Sequence, residues 1–266
     1  MGRRPIMVAG FCLIPILAAT NVSATPLYLA DSASHLLRVD VATAQVEEVF
    51  DAGVQFTDIA FGSTGQLYGV TAAYLYEIDP TTGWSTLIGS HGFGGPNSSY
   101  GIDSLAFGSN GVLYAAGNNI LISIDTMTGA GTKIGSLSGH RSAGDLATDS
   151  KGRLLMTTDL GGIVEINTDR GGAATLGYLP YNDVYALATD ANGTLYGLRS
   201  TNQILQIDPD KGLVVGLGTL HASRLIGRAW GASFPVVRLP EPATVLLLIL
   251  GTSVASLARR KKLTAA

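Results

Sequence analysis

The chain contains His35, His91, His140 and His221. The last three follow what read as outer strands of a repeat and precede the next inner strand. An imidazole titrates near neutral pH, ligates metals as a neutral base and shuttles protons. Asp58 and Asp145 share one column of the same repeat, at the start of an inner strand. Histidines and carboxylates gathered at one mouth of a closed fold would hold a metal ion or act as general acid and base. His91, His140, His221, Asp58 and Asp145 are therefore the candidate site residues, provided that their loops project together. No assigned catalytic residue, metal or cofactor goes with them. The sequence lacks a phosphate loop, a dinucleotide fingerprint, an HExxH helix and a Gly-x-Ser-x-Gly elbow. Asp208 and Asp210 lack the dense alternation of ligands in a calcium loop and read as turn caps. Tyr68, Tyr114 and Tyr196 recur because half-buried strands favour aromatics.

These residues are positioned by an internal repeat. Ile102 to Leu137 reads as four short apolar runs separated by Gly/Asx turns, and the pattern recurs at Phe56 to Ser90, Ala143 to Leu179 and Val184 to Leu220. Gly65, Gly111, Gly152 and Gly193 mark the first turn, at intervals of 46, 41 and 41 residues. Asp79, Asp125, Asn167 and Asp208 open a second turn, each followed four residues later by Gly. An Asx side chain caps its own turn and Gly accepts positive φ at the end. The runs are too short for helices, and four strands per unit of this length is the pattern of a β-propeller blade. Thr25 to Gly53 supplies three strands of a further unit and lacks the innermost one. Arg228 to Ser233 resembles Asp58 to Ser63, with Ala-Trp in place of Ala-Phe, and supplies it. The expected fold is all-β, a five-bladed propeller whose closing blade is composite. Closure of this kind removes an open sheet edge. The longest join, His91 to Gly101, is rich in Gly, Asn and Ser and reads as a surface loop.

Charge bounds the partners. Between Thr25 and Leu239 there are 11 basic and 19 acidic residues, a net of −8. Nucleic-acid binding needs a basic patch, so no nucleic-acid partner is expected. The single cysteine, Cys12, falls in the N-terminal segment, which leaves the remainder without a disulfide framework or a thiol nucleophile.

The two ends carry an address. Residues 1–24 have the anatomy of a secretory signal peptide, with Arg3 and Arg4, an apolar stretch and cleavage expected after Ala24. Residues 25–237 are the propeller, and 238–262 form a distinct tail. Pro240-Glu241-Pro242 precedes an apolar run of 16 residues, Ala243 to Ala258, closed by Arg259, Arg260, Lys261 and Lys262. At ~1.5 Å per residue such a helix spans about 24 Å, slightly short of a hydrocarbon core, with basic residues placed to snorkel to the cytoplasmic interface.

This three-part tail resembles the PEP-CTERM sorting domain of Gram-negative bacteria. The resemblance implies recognition by an exosortase, a transient stay in the inner membrane through the C-terminal transmembrane helix, and delivery to the cell envelope or the extracellular space. It also implies a link to exopolysaccharide and biofilm. The expected role is a non-enzymatic binding or structural module with exopolysaccharide or surface proteins as partners. The alternative is an extracellular propeller hydrolase or lyase using the His-bearing face.

Overall fold

The structure is a computed structural model, and it describes residues 25–94 and 101–236. The signal peptide with Ala24, the Pro240-Glu241-Pro242 motif, the apolar tail and the basic cluster lie outside the described residues, as does part of the long join.

The described residues form twenty strands in five antiparallel four-stranded sheets. Blade 1 contains β1 (Leu27–Asp31), β2 (His35–Asp40) and β3 (Gln45–Asp51). Blade 2 is β4 (Asp58–Phe61), β5 (Leu67–Val70), β6 (Tyr74–Ile78) and β7 (Ser85–Ser90). Blade 3 is β8 (Ser104–Phe107), β9 (Leu113–Gly117), β10 (Ile120–Ile124) and β11 (Gly131–Ser136). Blade 4 is β12 (Ser142–Thr148), β13 (Leu154–Thr158), β14 (Gly162–Ile166) and β15 (Ala173–Tyr178). Blade 5 is β16 (Val184–Thr189), β17 (Leu195–Arg199), β18 (Gln203–Asp208) and β19 (Leu213–Thr219). The final strand, β20 (Ala229–Ser233), pairs with β1 and completes blade 1 from the far end of the chain.

The turns form for the reasons the repeat suggested. Asp79 Oδ1 accepts from Thr81 N at 2.8 Å, Asp125 Oδ1 from Met127 N at 2.8 Å, Asn167 Oδ1 from Asp169 N at 3.1 Å and Asp208 Oδ1 from Asp210 N at 3.2 Å. Gly65, Gly111, Gly152 and Gly193 all have φ between +77° and +94°, the left-handed region that a side chain disfavours. The core lies between neighbouring blades. Leu29 and Leu37 of blade 1 pack with Ala186, Leu198 and Ile204 of blade 5, for example, and all five are fully buried. Burial of one such leucine contributes roughly 1.5–3 kcal/mol. The recurrent tyrosines belong to these joins. Tyr28 meets Phe61, Tyr68 meets Phe107 and Tyr196 meets Phe234, with ring centroids 5.2, 5.7 and 5.5 Å apart.

Closure of the ring corrects the alignment of β20. In blade 2, Ile59 faces Gly69 and Ala60 faces Tyr68. In blade 1, Ala232 faces Leu29 and Ser233 faces Tyr28. Since Tyr28 and Tyr68 are equivalent, Ser233 matches Ala60, Phe234 matches Phe61 and Gly231 matches Asp58. Trp230 therefore stands in the column of Thr57, not that of Phe61. Composition misled the alignment because Ala-Trp and Ser-Phe are both small-then-aromatic pairs. Buried Asp31 reinforces the joint, accepting from Gly227 N, His35 N and Ala33 N at 2.6, 2.9 and 2.9 Å.

Candidate functional site

With the register corrected, the five inner strands can be read as layers across the central axis. The column headed by Asp58 holds Asp58, Ser104, Asp145, Ala186 and Gly231. All are buried, and the two small residues leave room for the two aspartates. An innermost strand has no further strand to take its N–H groups, and an unpaired buried N–H is costly. The aspartates answer that need. Asp58 Oδ2 accepts from Leu105 N of blade 3 at 2.5 Å. Asp145 Oδ2 accepts from Leu187 N of blade 5 at 2.5 Å and from Ala232 N of blade 1 at 3.1 Å. Two side chains thus tie the inner strands of all five blades.

Burial is the main reason that both carboxyls are pushed well above the usual range. At Asp58 the neighbouring negative charge of Asp145 adds to the rise, whereas the hydrogen bond from Asp58 favours the ionised form of Asp145. Burial thus favours a pair that retains a proton over two carboxylates. Like charges this close do not both ionise in a dry site. Both are fully buried, so no substrate reaches them and their role is to hold the ring closed.

The histidines are not brought together with them. His91 N donates to Ala73 O at 3.2 Å, the bond made elsewhere by Ala52 N, Leu137 N, Leu179 N and Leu220 N to the equivalent turns. His91 therefore stands in a column that is leucine in blades 3, 4 and 5, alanine in blade 1, and buried in every blade. Its ring contacts Thr71 O through Nε2 at 3.3 Å, and Nδ1 accepts from Phe93 N at 3.2 Å. His140 lies three residues beyond that column and His221 one residue beyond it. His221 carries a backbone pairing with Gln45 of blade 1. The three sit at three different blade junctions. Among the described residues no group of three or more His, Cys, Asp or Glu is arranged to hold a metal ion.

Burial also depresses the His91 imidazole below its ordinary value. The unfolded state then binds the extra proton first, so His91 costs stability as pH falls below about 6.5, and the loss levels off once the folded imidazole also titrates. We predict that His91→Leu, which places there the leucine of blades 3, 4 and 5, changes stability at pH 8 by less than about 1 kcal/mol, and loses less stability than wild type between pH 8 and pH 5. Urea unfolding at the two pH values checks it.

A usable cavity lies one layer from the aspartates, where the inner strands begin. Thr57, Asp103, Gly144, Tyr185 and Trp230 contribute one residue per blade, and with Ala143 they enclose about 160 Å³. Thr57, Asp103, Tyr185 and Trp230 are half-buried. Burial pushes the Asp103 carboxyl up to about 6, against the opposing hydroxyls of Ser142 and Ser104. Ser104 Oγ donates to Asp103 Oδ1 at 2.9 Å and lies 2.5 Å from Ser142 Oγ. The axis opens at its other end into a vestibule of about 310 Å³ whose rim is Phe61, Phe107, Thr148, Thr189 and Phe234. The first cup combines two aromatic side chains with a single carboxyl, an arrangement that recognises a small ring or a cation. None of Asp103, Tyr185 and Trp230 was a candidate in the sequence. They share only a position, the column just before each inner strand, and the misplaced β20 put Trp230 in another column.

No family model matches the chain, and no curated protein matches it. Solved structures do. A chain of a nidogen/laminin complex superposes with a TM-score of 0.54 at 14% identity, covering 81% of this chain and 100% of that one. A symmetrical protein from work on de novo evolutionary emergence gives 0.50 at 16% identity, covering 80% and 100%. Virginiamycin B lyase from Staphylococcus aureus gives 0.43 at 15% identity, covering 70% of this chain and 63% of the lyase. At these identities the likeness to the first two concerns the fold alone, and the five blades are counted from this chain's own strand pairing.

Proposed function

We propose that this chain is an exported, non-enzymatic propeller that binds a small ligand in its axial cup. In this reading it reaches the envelope or extracellular space through its PEP-CTERM-like tail. The observation that carries the binding reading is the cup itself, with Trp230 and Tyr185 as walls and Asp103 as its carboxyl. General acid–base chemistry on a bound substrate needs a matched donor and acceptor within reach of the same atoms. The cup offers one carboxyl, and the histidines that an extracellular hydrolase or lyase would use lie at separate blade junctions. Such an enzyme reading therefore has no supporting observation.

For delivery, the support is Pro240-Glu241-Pro242, the apolar run and Arg259 to Lys262 in that order. An exosortase is the expected processing partner, the inner membrane a transient one, and exopolysaccharide or surface proteins the destination. The test is to express the full chain in a Gram-negative host with and without an exosortase. We expect a tail-less form outside the inner membrane in the first host, and full-length, membrane-fraction protein in the second. Full-length membrane protein in both would overturn sorting and leave a permanent anchor.

A further inference from the structure

We propose that the axial cup takes a small organic cation, an ammonium group carried on a body no larger than one six-membered ring. The proposal rests on the reading of the cup as a binding site and adds the charge of the ligand. Size comes first. The cup encloses about 160 Å³, and a cavity of about 150 Å³ admits benzene. Charge comes from the walls and floor. The negative faces of Trp and Tyr rings attract cations, more strongly where water is excluded. Among the described residues Asp103 forms no ion pair, and its hydrogen-bond donors are the neutral hydroxyls of Ser104 and Ser142. A cation is the ligand that such a field stabilises.

Neutral sugars and anions fit less well. A sugar hydroxyl needs both acceptors and donors, and of the donors in or beside the cup the hydroxyls of Thr57 and Ser104 are already committed, which leaves the Tyr185 hydroxyl and the Trp230 indole N–H. Thr57 Oγ1 donates to Val70 O at 3.1 Å, and Ser104 donates to Asp103. An anion would face Asp103 with no basic side chain in the lining. The cation could belong to a free metabolite, to an amino sugar of a polysaccharide or to a lysine of a protein. All three share the ammonium head, and separate probes distinguish them.

The experiment is calorimetric titration of the full-length protein with choline, glucosamine and lysine amide, beside glucose and N-acetylglucosamine as neutral rings. We expect at least one amine to bind at one site per chain and the neutral rings not to bind. Trp230→Ala should weaken the amine by about tenfold or more, and Trp84→Ala, an exposed tryptophan outside the cup, should not. Wild-type affinity should also fall between pH 7 and pH 5 as Asp103 takes up a proton. Tyr185 is the other titratable side chain of the lining and Asp58 and Asp145 lie one layer further in, and this pH arm needs no variant to fold. Neutral rings binding as well as the amines would overturn the cation and keep the binding site. No binding by any probe, or binding unchanged in Trp230→Ala, would overturn the site itself.

Discussion

Gly231→Val should destabilise the protein by at least about 3 kcal/mol, which lowers the thermal midpoint by roughly 6–12 °C for a domain of this size. Gly231 stands in the aspartate column on the strand that closes the ring. A Cβ built there would overlap Asp58 Oδ1 and the Asp58 Cα. The obstacle is partly backbone, so it cannot move aside as a surface side chain would. Two responses are available, and both are costly. Either β20 withdraws from the axis, which removes the bond from Ala232 N to Asp145, or Asp58 is displaced, which removes the bond from Leu105 N. Each leaves a buried donor without a partner, at about 1–3 kcal/mol. Gly101→Ala is the control. Its Cβ would meet nothing within 4 Å, and its effect should be under about 0.5 kcal/mol. Differential scanning calorimetry of the three proteins decides the matter. Equal midpoints for Gly231→Val and Gly101→Ala would mean that the axis is looser than the structure has it.

The contrast between blade pattern and axial site shows what was legible in the sequence. Strand number, blade number and composite closure could be read, because each rests on local chemistry repeated several times. An Asx-to-Gly turn is recognisable wherever it occurs, and so is a four-residue apolar run. The aspartate column was legible too, since Asp58 and Asp145 both precede an apolar residue and a small one. The histidine expectation failed for a physical reason. Sequence order shows that a residue follows a strand, but not how far. His91 sits one residue nearer its strand than His221, relative to the leucine column, and that difference moves it from rim to core. The cup was illegible because its five positions share no chemistry. Thr57, Asp103, Gly144, Tyr185 and Trp230 differ in type, so no repeat signal marks them. A binding site in a symmetric fold departs from the symmetry of its scaffold, and alignment of the repeat suppresses that departure. The outer strands show the converse. Each blade carries a bulge between its third and fourth strands, at Leu75/Tyr76, Leu121/Ile122, Ile163/Val164 and Ile204/Leu205, with a fifth at Arg38/Val39. That regular feature left no motif beyond a glycine near the strand end.

Asp145→Ala should cost more than Asp58→Ala, although both remove one buried aspartate. Asp145 Oδ2 takes two backbone donors from two blades, Leu187 N and Ala232 N, while Asp58 takes one from a neighbouring blade, Leu105 N. At about 1–3 kcal/mol for each donor left unpaired, Asp145→Ala loses roughly 2–6 kcal/mol and opens the seam between first and last blades. Asp58→Asn should be much milder, because an amide imitates the protonated acid and can still donate towards Asp145. The pH dependence separates these roles. Folded Asp58 and Asp145 both hold protons more tightly than the unfolded chain does. The native state therefore binds more protons above pH 3.8, and the pair's contribution to stability is fully present below that pH and declines as pH rises towards the folded values. Burial at Asp103 acts in the same sense up to about pH 6. Exposed turn aspartates such as Asp79 and Asp125 are shifted the other way, so the whole-protein curve mixes signs. The difference curve between wild type and Asp58→Asn isolates the pair. Wild type should lose its advantage steadily from pH 4 upwards, and the variant should be the flatter of the two. A variant curve parallel to wild type over pH 4 to 8 would mean that Asp58 is ionised in the native state, and the shared proton would then have to be abandoned as the device that lets two acids close this ring.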